Sequence, residues 1–252
     1  MIPSPFDWLL PLAAAPFIGS FLSVLVVRLP KGEDVVADRS HCRSCNAKLT
    51  PLELIPIVSW TRQGGHCRSC GAGVSALYPA LELGATAIAL WAMAVVDGDL
   101  ILITAALGWA LLALAAMDVR DFILVDVLTL PLIPLGLAVA WWLDPETIHW
   151  HILGAAFGFA LMVGAGWAYQ SLRGREGLGF GDAKLMAAAG AWTGLDGVGT
   201  VLLYAALLSL AAVLIARQTG REIGPTTPIP FGAGIAAGFW LTWLHGPLFL
   251  GA

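Results

Sequence analysis

The chain has 252 residues, of which 58% are hydrophobic and only 12% are charged, whereas ordinary soluble domains contain about 25% charged residues. This balance excludes a normal water-soluble globular protein. The formal net charge of −4 provides no basic field for DNA or RNA, so the sequence predicts no nucleic-acid partner.

Long apolar stretches follow one another along almost the whole chain. A helix needs about 20 mostly apolar residues to cross a hydrocarbon core of about 30 Å, and the sequence contains seven clear stretches of this kind and one weaker stretch. They cover 8–28, 77–96, 99–117, 127–143, 148–169, 183–195 (the weaker one), 199–216 and 228–249. Since amphipathic surface helices keep a charged face that these stretches lack, they predict an all-α polytopic membrane protein with about eight transmembrane helices, in contact with membrane lipid. No Lys or Arg precedes the first stretch, so it does not resemble a cleavable signal and is expected to stay in the mature protein.

The positions of the 13 Lys and Arg residues predict the orientation of these helices. Seven of them lie between Arg28 and Arg68, and the others lie in or beside the links after the third, fifth and seventh stretches. With eight spans all of them lie on one side of the membrane, which the positive-inside rule identifies as the cytoplasm. Without the weak sixth span, Arg217 and Arg221 would lie on the opposite side. The sequence therefore predicts a cytoplasmic loop at 29–76 and two periplasmic termini.

This loop contains all four cysteines, in a five-residue unit that occurs twice. His41-Cys42-Arg43-Ser44-Cys45 recurs as His66-Cys67-Arg68-Ser69-Cys70. Two C-x2-C pairs resemble the knuckles of a zinc ribbon, in which four thiolates hold one tetrahedral ion. The pattern predicts a zinc-ribbon-like domain with one structural Zn²⁺ ion. Its predicted ligands are Cys42, Cys45, Cys67 and Cys70.

Other interpretations of the cysteines remain open at this point. The reducing cytoplasm disfavours disulfides, and a redox or empty site is the alternative to zinc. Four thiolates leave no open position for water, so a zinc ion here would be structural and not catalytic. His41 and His66 are expected to be solvated.

Acidic residues in or beside membrane spans are costly, and each is a functional candidate. The candidates are Glu82, Asp118, Asp121, Asp126 and Asp182. Asp182 follows three glycines at alternate positions, Gly177, Gly179 and Gly181, which free the backbone and allow close approach of a substrate chain. A plain interhelical turn with a solvated Asp182 is the alternative. The segment that begins with Met117 and Asp118 starts at the same predicted membrane face as Asp182. The topology therefore places Asp118 and Asp182 at a similar depth.

Two carboxylates that lie close together in a poorly solvated site can share one proton. One then activates a water while the other donates to the scissile carbonyl, which is aspartic protease chemistry. The sequence thus predicts Asp118 and Asp182 as catalytic residues, with Gly179, Gly181 and Lys184 in the supporting loop. Glu82 is interpreted either as a neighbour of this site or as an ion-pair partner of a loop arginine such as Arg68.

Several motifs then occur in a fixed order along the chain. They are Gly19-Ser20-Phe21-Leu22, the cysteine pairs, Tyr78-Pro79-Ala80-Leu81-Glu82, Asp118 with Asp126 and Leu128-Thr129-Leu130-Pro131, and Gly179-Phe180-Gly181-Asp182 with Lys184. Together they resemble the prepilin leader peptidases, which are Gly-x-Gly-Asp aspartic proteases of bacteria. The chain departs from the common family pattern at Ser23, Arg120 and Val125, where Asn, an acid and Pro are usual.

The resemblance implies an endopeptidase of the bacterial inner membrane. Its substrates would be type IV prepilins or type II secretion pseudopilins, whose basic leader is cut after a glycine at the cytoplasmic membrane face. Many members then N-methylate the new terminus with S-adenosylmethionine, although residues 29–76 contain no recognisable methyl-donor motif. The implied domains are a first transmembrane helix at 1–28, a four-cysteine zinc-binding loop at 29–76 that belongs to the methyltransferase part, and a transmembrane peptidase domain at 77–252.

Two functions of other classes compete with this interpretation. An ion or proton-coupled transporter also uses intramembrane carboxylates, but such proteins commonly show paired repeats with broken helices, which this sequence lacks. A zinc-stapled scaffold without catalysis would leave the glycines before Asp182 unexplained. The sequence predicts neither the particular pilin nor the oligomeric state.

Overall fold

The computed structural model describes residues 5–175, 177–220, 224 and 227–248. Within these ranges the chain forms helices and loops without β-strands, apart from two isolated β-bridges in the loop after the first helix. The α-helices are α1 (Pro5–Arg28), α2 (Val58–Arg62), α3 (Leu77–Val95), α4 (Leu100–Asp121), α5 (Asp126–Leu143), α6 (Ile148–Arg173), α7 (Phe180–Gln218) and α8 (Phe231–His245). The prediction of an all-α polytopic protein with a small cysteine-containing loop domain is confirmed.

Six of these helices are long and apolar enough to cross a membrane: α1, α3, α4, α5, α6 and α7. The sixth and seventh predicted spans both lie in α7, which is broken at Gly194, where φ is 73° and ψ is 178°. The predicted link around Asp196 is therefore not a separate loop. The break is made by Gly194 alone, in a backbone conformation that residues with a side chain rarely adopt. The eighth predicted span is α8, whose 15 residues extend about 22 Å at the rise of an α-helix.

The chain divides into two compact units, residues 1–113 and residues 114–252. In the first unit, α1 packs closely on α3, since a Cβ added at Gly19 would lie 2.5 Å from the Cα of Glu82. The indole of Trp109 on α4 donates a 2.9 Å hydrogen bond to the carbonyl of Ala85 on α3. Small residues at such contacts let helix backbones approach closely in a membrane protein.

The second unit is built in the same way around α7. Gly154 on α6 faces Gly190 on α7 so closely that a Cβ at Gly154 would lie 2.7 Å from the Gly190 carbonyl oxygen. Gly238 on α8 packs on the backbone of α7 at Val201, where an added Cβ would lie 2.6 Å from the carbonyl oxygen. The last turn of α4 and the first turns of α7 and α8 also belong to this unit.

Candidate active site

Asp118 lies in the last turn of α4 and is only 6% exposed. Its Oδ2 accepts a 2.8 Å hydrogen bond from the backbone N–H of Ala233, which is in the first turn of α8. The first turn of a helix has backbone N–H groups without intrahelical partners, and the carboxylate satisfies one of them. Asp118 is therefore held in one position by a helix that begins only at residue 231, far away in the sequence.

Asp182 lies in the first turn of α7, where it is part of a helix cap. The backbone N–H of Gly179, the residue before the helix, donates to Asp182 Oδ2 at 3.3 Å. An acidic residue in the first turn also interacts favourably with the helix dipole. Asp182 therefore starts a helix and is not a solvated residue of a plain turn.

Both aspartates converge on Gly232 in the first turn of α8. A Cβ added at Gly232 would lie 2.9 Å from Asp182 Oδ1 and 3.0 Å from Asp118 Oδ2. The two carboxylate oxygens are therefore no more than about 6 Å apart, and the glycine beside them has no side chain. Both carboxylates thus face the same backbone position of α8, where no side chain separates them.

The glycines before Asp182 are needed for space and not for an unusual backbone conformation. None of Gly177, Gly179 and Gly181 has a positive φ, which corrects the expectation that they adopt conformations closed to other residues. A Cβ at Gly181 would lie 2.9 Å from the Cβ of Leu124, and one at Gly177 would lie 2.3 Å from the ring of Tyr169. Close packing in the loop before α7 and in its first turn accounts for these two glycines.

Lys184 joins the start of α7 to the start of α5. Its Nζ lies 2.6 Å from Asp126 Oδ1 and 5.0 Å from the centre of the Phe180 ring. The Asp126 carboxylate is thus paired with this lysine. Asp121, another of the acids beside the predicted spans, has one oxygen buried, 3.6 Å from the Nε of Arg120.

The four cysteines form one compact cluster in the first unit. The Sγ atoms of Cys42, Cys45, Cys67 and Cys70 all lie within 4.8 Å of one another, and those of Cys42 and Cys70 are 3.9 Å apart. Tetrahedral coordination with zinc–sulfur bonds of about 2.3 Å separates the sulfurs by about 3.8 Å. None of the four is in a disulfide, so the cluster fits a metal ion.

The repeated sequence folds into two equivalent knuckles. The N–H of Cys42 donates to Ala47 at 2.9 Å, and the N–H of Cys67 donates to Ala72 at 2.8 Å. Backbone N–H groups of Cys45 and Ser44 lower the pKa of the Cys42 thiol to about 6, because N–H donors stabilise the thiolate that a metal needs.

Glu82 does not pair with Arg68. Its Oε2 accepts a 2.7 Å hydrogen bond from the backbone N–H of Ile57, whereas Arg68 Nε lies 3.6 Å from Glu53. Glu82 lies in the first unit and the aspartate pair in the second. The sequence alone does not show which acid pairs with Arg68, because Glu53 and Glu82 are both acids in or beside the same loop.

Comparisons with known proteins identify the family of the chain. A model described as the bacterial peptidase A24 N-terminal domain matches residues 14–96, and a model of the type IV leader peptidase family matches residues 105–214. No solved structure gives a significant match.

Several curated relatives carry the name prepilin leader peptidase/N-methyltransferase. The protein of Aeromonas hydrophila is 35% identical over 91% of this chain and 87% of its own length. That of Burkholderia pseudomallei strain K96243 is 37% identical over 88% of this chain and 72% of its own. That of Pseudomonas aeruginosa is 32% identical over 91% of this chain and 87% of its own.

The chain is thus a multi-pass membrane protein with a peptidase domain. It belongs to the type IV leader peptidase family.

Proposed function

We propose that this protein is an aspartic endopeptidase that removes the basic leader of type IV prepilins or type II secretion pseudopilins, with Asp118 and Asp182 as the catalytic pair. The observation that carries the proposal is the convergence of both carboxylates on Gly232, at 2.9 and 3.0 Å from the same point. The names of the relatives support the substrate class.

In this mechanism the two carboxylates share one proton. The ionised partner takes a proton from a water as the water oxygen attacks the scissile carbonyl carbon, and the protonated partner donates to the carbonyl oxygen. The tetrahedral intermediate then collapses and the C–N bond breaks. The leaving amine takes the proton that the first carboxylate received from the water, and a hydroxyl of the intermediate returns a proton to the second carboxylate, which restores the pair. Gly232 leaves room for the peptide between the carboxylates, and the N–H of Ala233 keeps Asp118 in place.

Cleavage by the purified protein in detergent tests this function. A prepilin with a basic leader is expected to shift to the mature size on a gel, and N-terminal sequencing of the product should place the cut after a glycine. An absence of cleavage, together with proton or ion flux in proteoliposomes, would favour the transporter alternative, which membership of a peptidase family opposes.

We also propose that the protein resides in the bacterial inner membrane with residues 29–76 and the aspartate pair at the cytoplasmic side. Both termini would then be periplasmic; residues 1–4 and 249–252 lie outside the described part of the chain. A phosphatase fused after Ala252 is expected to be active, because it would be exported. A phosphatase fused after Gly32, at the exit of α1, should be inactive and serves as the control. An inactive fusion after Ala252 would contradict the eight-span topology.

The cysteine cluster is proposed to hold one structural zinc ion through Cys42, Cys45, Cys67 and Cys70. The ion would join the two knuckles, which are separated by 21 residues in the sequence, and would take no part in cleavage because four thiolates leave it no open position.

Metal analysis of the purified protein checks the zinc proposal. About one zinc ion per chain is expected, and the double change Cys42→Ser with Cys45→Ser should remove it, whereas Ser44→Ala should not. Leader cleavage should survive the loss of zinc, because the carboxylates lie in the other unit. Wild-type protein that contains no zinc after purification without chelators would refute the site.

The relatives' names further support an N-methyltransferase activity. We propose that the mature N-terminus of the pilin is methylated with S-adenosylmethionine, and that residues 29–76 belong to the part of the protein that performs this step.

A further inference from the structure

One stretch of the loop between α1 and α3 is apolar and has large apolar side chains on its surface. Leu52, Ile55 and Val58 are 74%, 38% and 48% exposed. The 13 residues between Lys48 and Arg62 contain a single charged side chain. Contiguous exposed apolar side chains mark a surface that contacts a partner or a membrane. Residues 49–61, here called the apolar stretch, are therefore a candidate for such a contact.

The one charged residue of the apolar stretch is Glu53, and its carboxylate has partners inside the protein. Its Oε2 accepts hydrogen bonds from the backbone N–H of Thr50 at 2.9 Å and from the Thr50 hydroxyl at 2.7 Å. Its Oε1 lies 3.6 Å from Arg68 Nε, and its side chain is only 11% exposed. The face that carries Leu52, Ile55 and Val58 is therefore uncharged.

The apolar stretch runs beside two helices that are long and apolar enough to cross a membrane, α1 and α3. The backbone N–H of Ile57 donates a 2.7 Å hydrogen bond to Glu82 Oε2, and a Cβ added at Gly19 of α1 would lie 2.5 Å from the Glu82 Cα. Glu82 lies about 7.5 Å along α3 from Leu77, and Gly19 about 13.5 Å along α1 from Arg28, at the rise of an α-helix. Ile57 thus lies beside the two helices and not beyond their ends.

Ile57 also turns the chain back at this level. Its φ is 63°, a conformation that β-branched residues rarely adopt, and the hydrogen bond to Glu82, which is only 5% exposed, holds it there. The chain then continues into α2, where the indole of Trp60 donates a 3.1 Å hydrogen bond to the carbonyl of Val74. The apolar stretch is therefore a fixed turn that enters and leaves along the same two helices.

The surroundings of the apolar stretch are those of a segment in contact with lipid. Phe17 and Phe21 of α1 and Leu83 of α3 flank Gly19 and Glu82, and all three are exposed, as lipid-facing residues of membrane helices are. Lys48 and Arg62, at the two ends of the stretch, are also exposed. Basic residues at the cytoplasmic membrane surface attract anionic lipid headgroups. An apolar centre between two basic ends fits an acyl-chain region below headgroups.

We propose that the outer face of residues 51–58 is inserted into the cytoplasmic leaflet and contacts lipid acyl chains. Apolar faces of interfacial segments lie about 5–10 Å into the boundary between headgroups and acyl chains, which agrees with the position of Ile57 about 7.5 Å along α3. The inference uses the proposed orientation of residues 29–76 and is independent of the catalytic mechanism. The loop domain is then anchored in lipid between its two cysteine knuckles and is not a freely solvated loop.

Photo-cross-linking in lipid nanodiscs tests this contact. Benzoylphenylalanine is incorporated at Leu52 of the full-length protein, in discs of phosphatidylethanolamine and phosphatidylglycerol, and lipid adducts are measured by mass spectrometry. The probe is expected to give at least about 10-fold more lipid adduct than the same probe at Val36, because acyl chains surround an inserted side chain. Val36 is the matched control, since it is an apolar residue of the same loop, 88% exposed, but lies between Asp34 and Asp38.

Elution volume and circular dichroism report whether each probe protein is folded, and Val58 is a second probe position if the Leu52 variant does not fold. A folded protein whose probe gives no more lipid adduct than the Val36 control would refute the insertion. If the probe instead cross-linked to an added prepilin and not to lipid, the face would bind the substrate's apolar segment, and the lipid assignment would be overturned. Neither readout requires cleavage, and the phosphatase fusions test the orientation separately.

Discussion

Replacing either Asp118 or Asp182 with Asn is expected to abolish leader cleavage while the protein remains folded and inserted in the membrane. Asn keeps the volume of Asp but cannot exchange a proton, so the pair can no longer activate a water and protonate the carbonyl. The expected loss is on the order of 10⁴-fold in rate, and the double variant should be no worse than either single one, because residues that act as a unit do not contribute additively.

The control variants are Asp121→Asn and Asp126→Asn, which change acids of the same membrane face. Both are expected to retain substantial activity. Asp126→Asn weakens the contact with Lys184, whose Nζ lies 2.6 Å away, but an exposed ion pair of this kind contributes about 1 kcal/mol or less. The measurement is the rate of the gel shift of a prepilin. Near-normal cleavage by Asp182→Asn would refute the aspartic mechanism.

Changing Gly232 to Ala is expected to reduce cleavage by about 100-fold, the size of effect that follows from a displacement of about 1 Å in a reacting group. The added methyl group would lie 2.8 Å from Leu124 Cδ1 and within 3.0 Å of an oxygen of each aspartate. It would crowd both carboxylates and push them apart, away from the positions in which they act together.

Gly199→Ala is the matched control, because Gly199 is also a helical glycine of the second unit and an added Cβ there meets no atom within 4 Å. It should cleave at the wild-type rate. Circular dichroism and thermal unfolding of both variants separate a local effect from loss of the fold. Normal cleavage by a folded Gly232→Ala protein would show that the substrate does not enter between the carboxylates.

The sequence by itself determined the class of the protein and the identity of its candidate residues. Helical membrane spans depend on composition over about 20 consecutive residues, so they could be predicted without any tertiary contact. The knuckles are also local, since each closes through hydrogen bonds between residues a few positions apart, such as the N–H of Cys42 and the carbonyl of Ala47. Their repeated sequence therefore predicted the cysteine cluster.

Only the tertiary structure decided how these residues meet. Asp118 is held by Ala233, 115 residues later in the chain, and nothing in the sequence around either residue encodes that contact. Likewise, the partner of Arg68 is Glu53 and not Glu82, because charge alone does not distinguish two nearby acids. Gly232 could not be identified as part of the site from its position in an apolar stretch. Its role arises because three helix ends meet at one point, and such a meeting depends on packing between segments far apart in the chain.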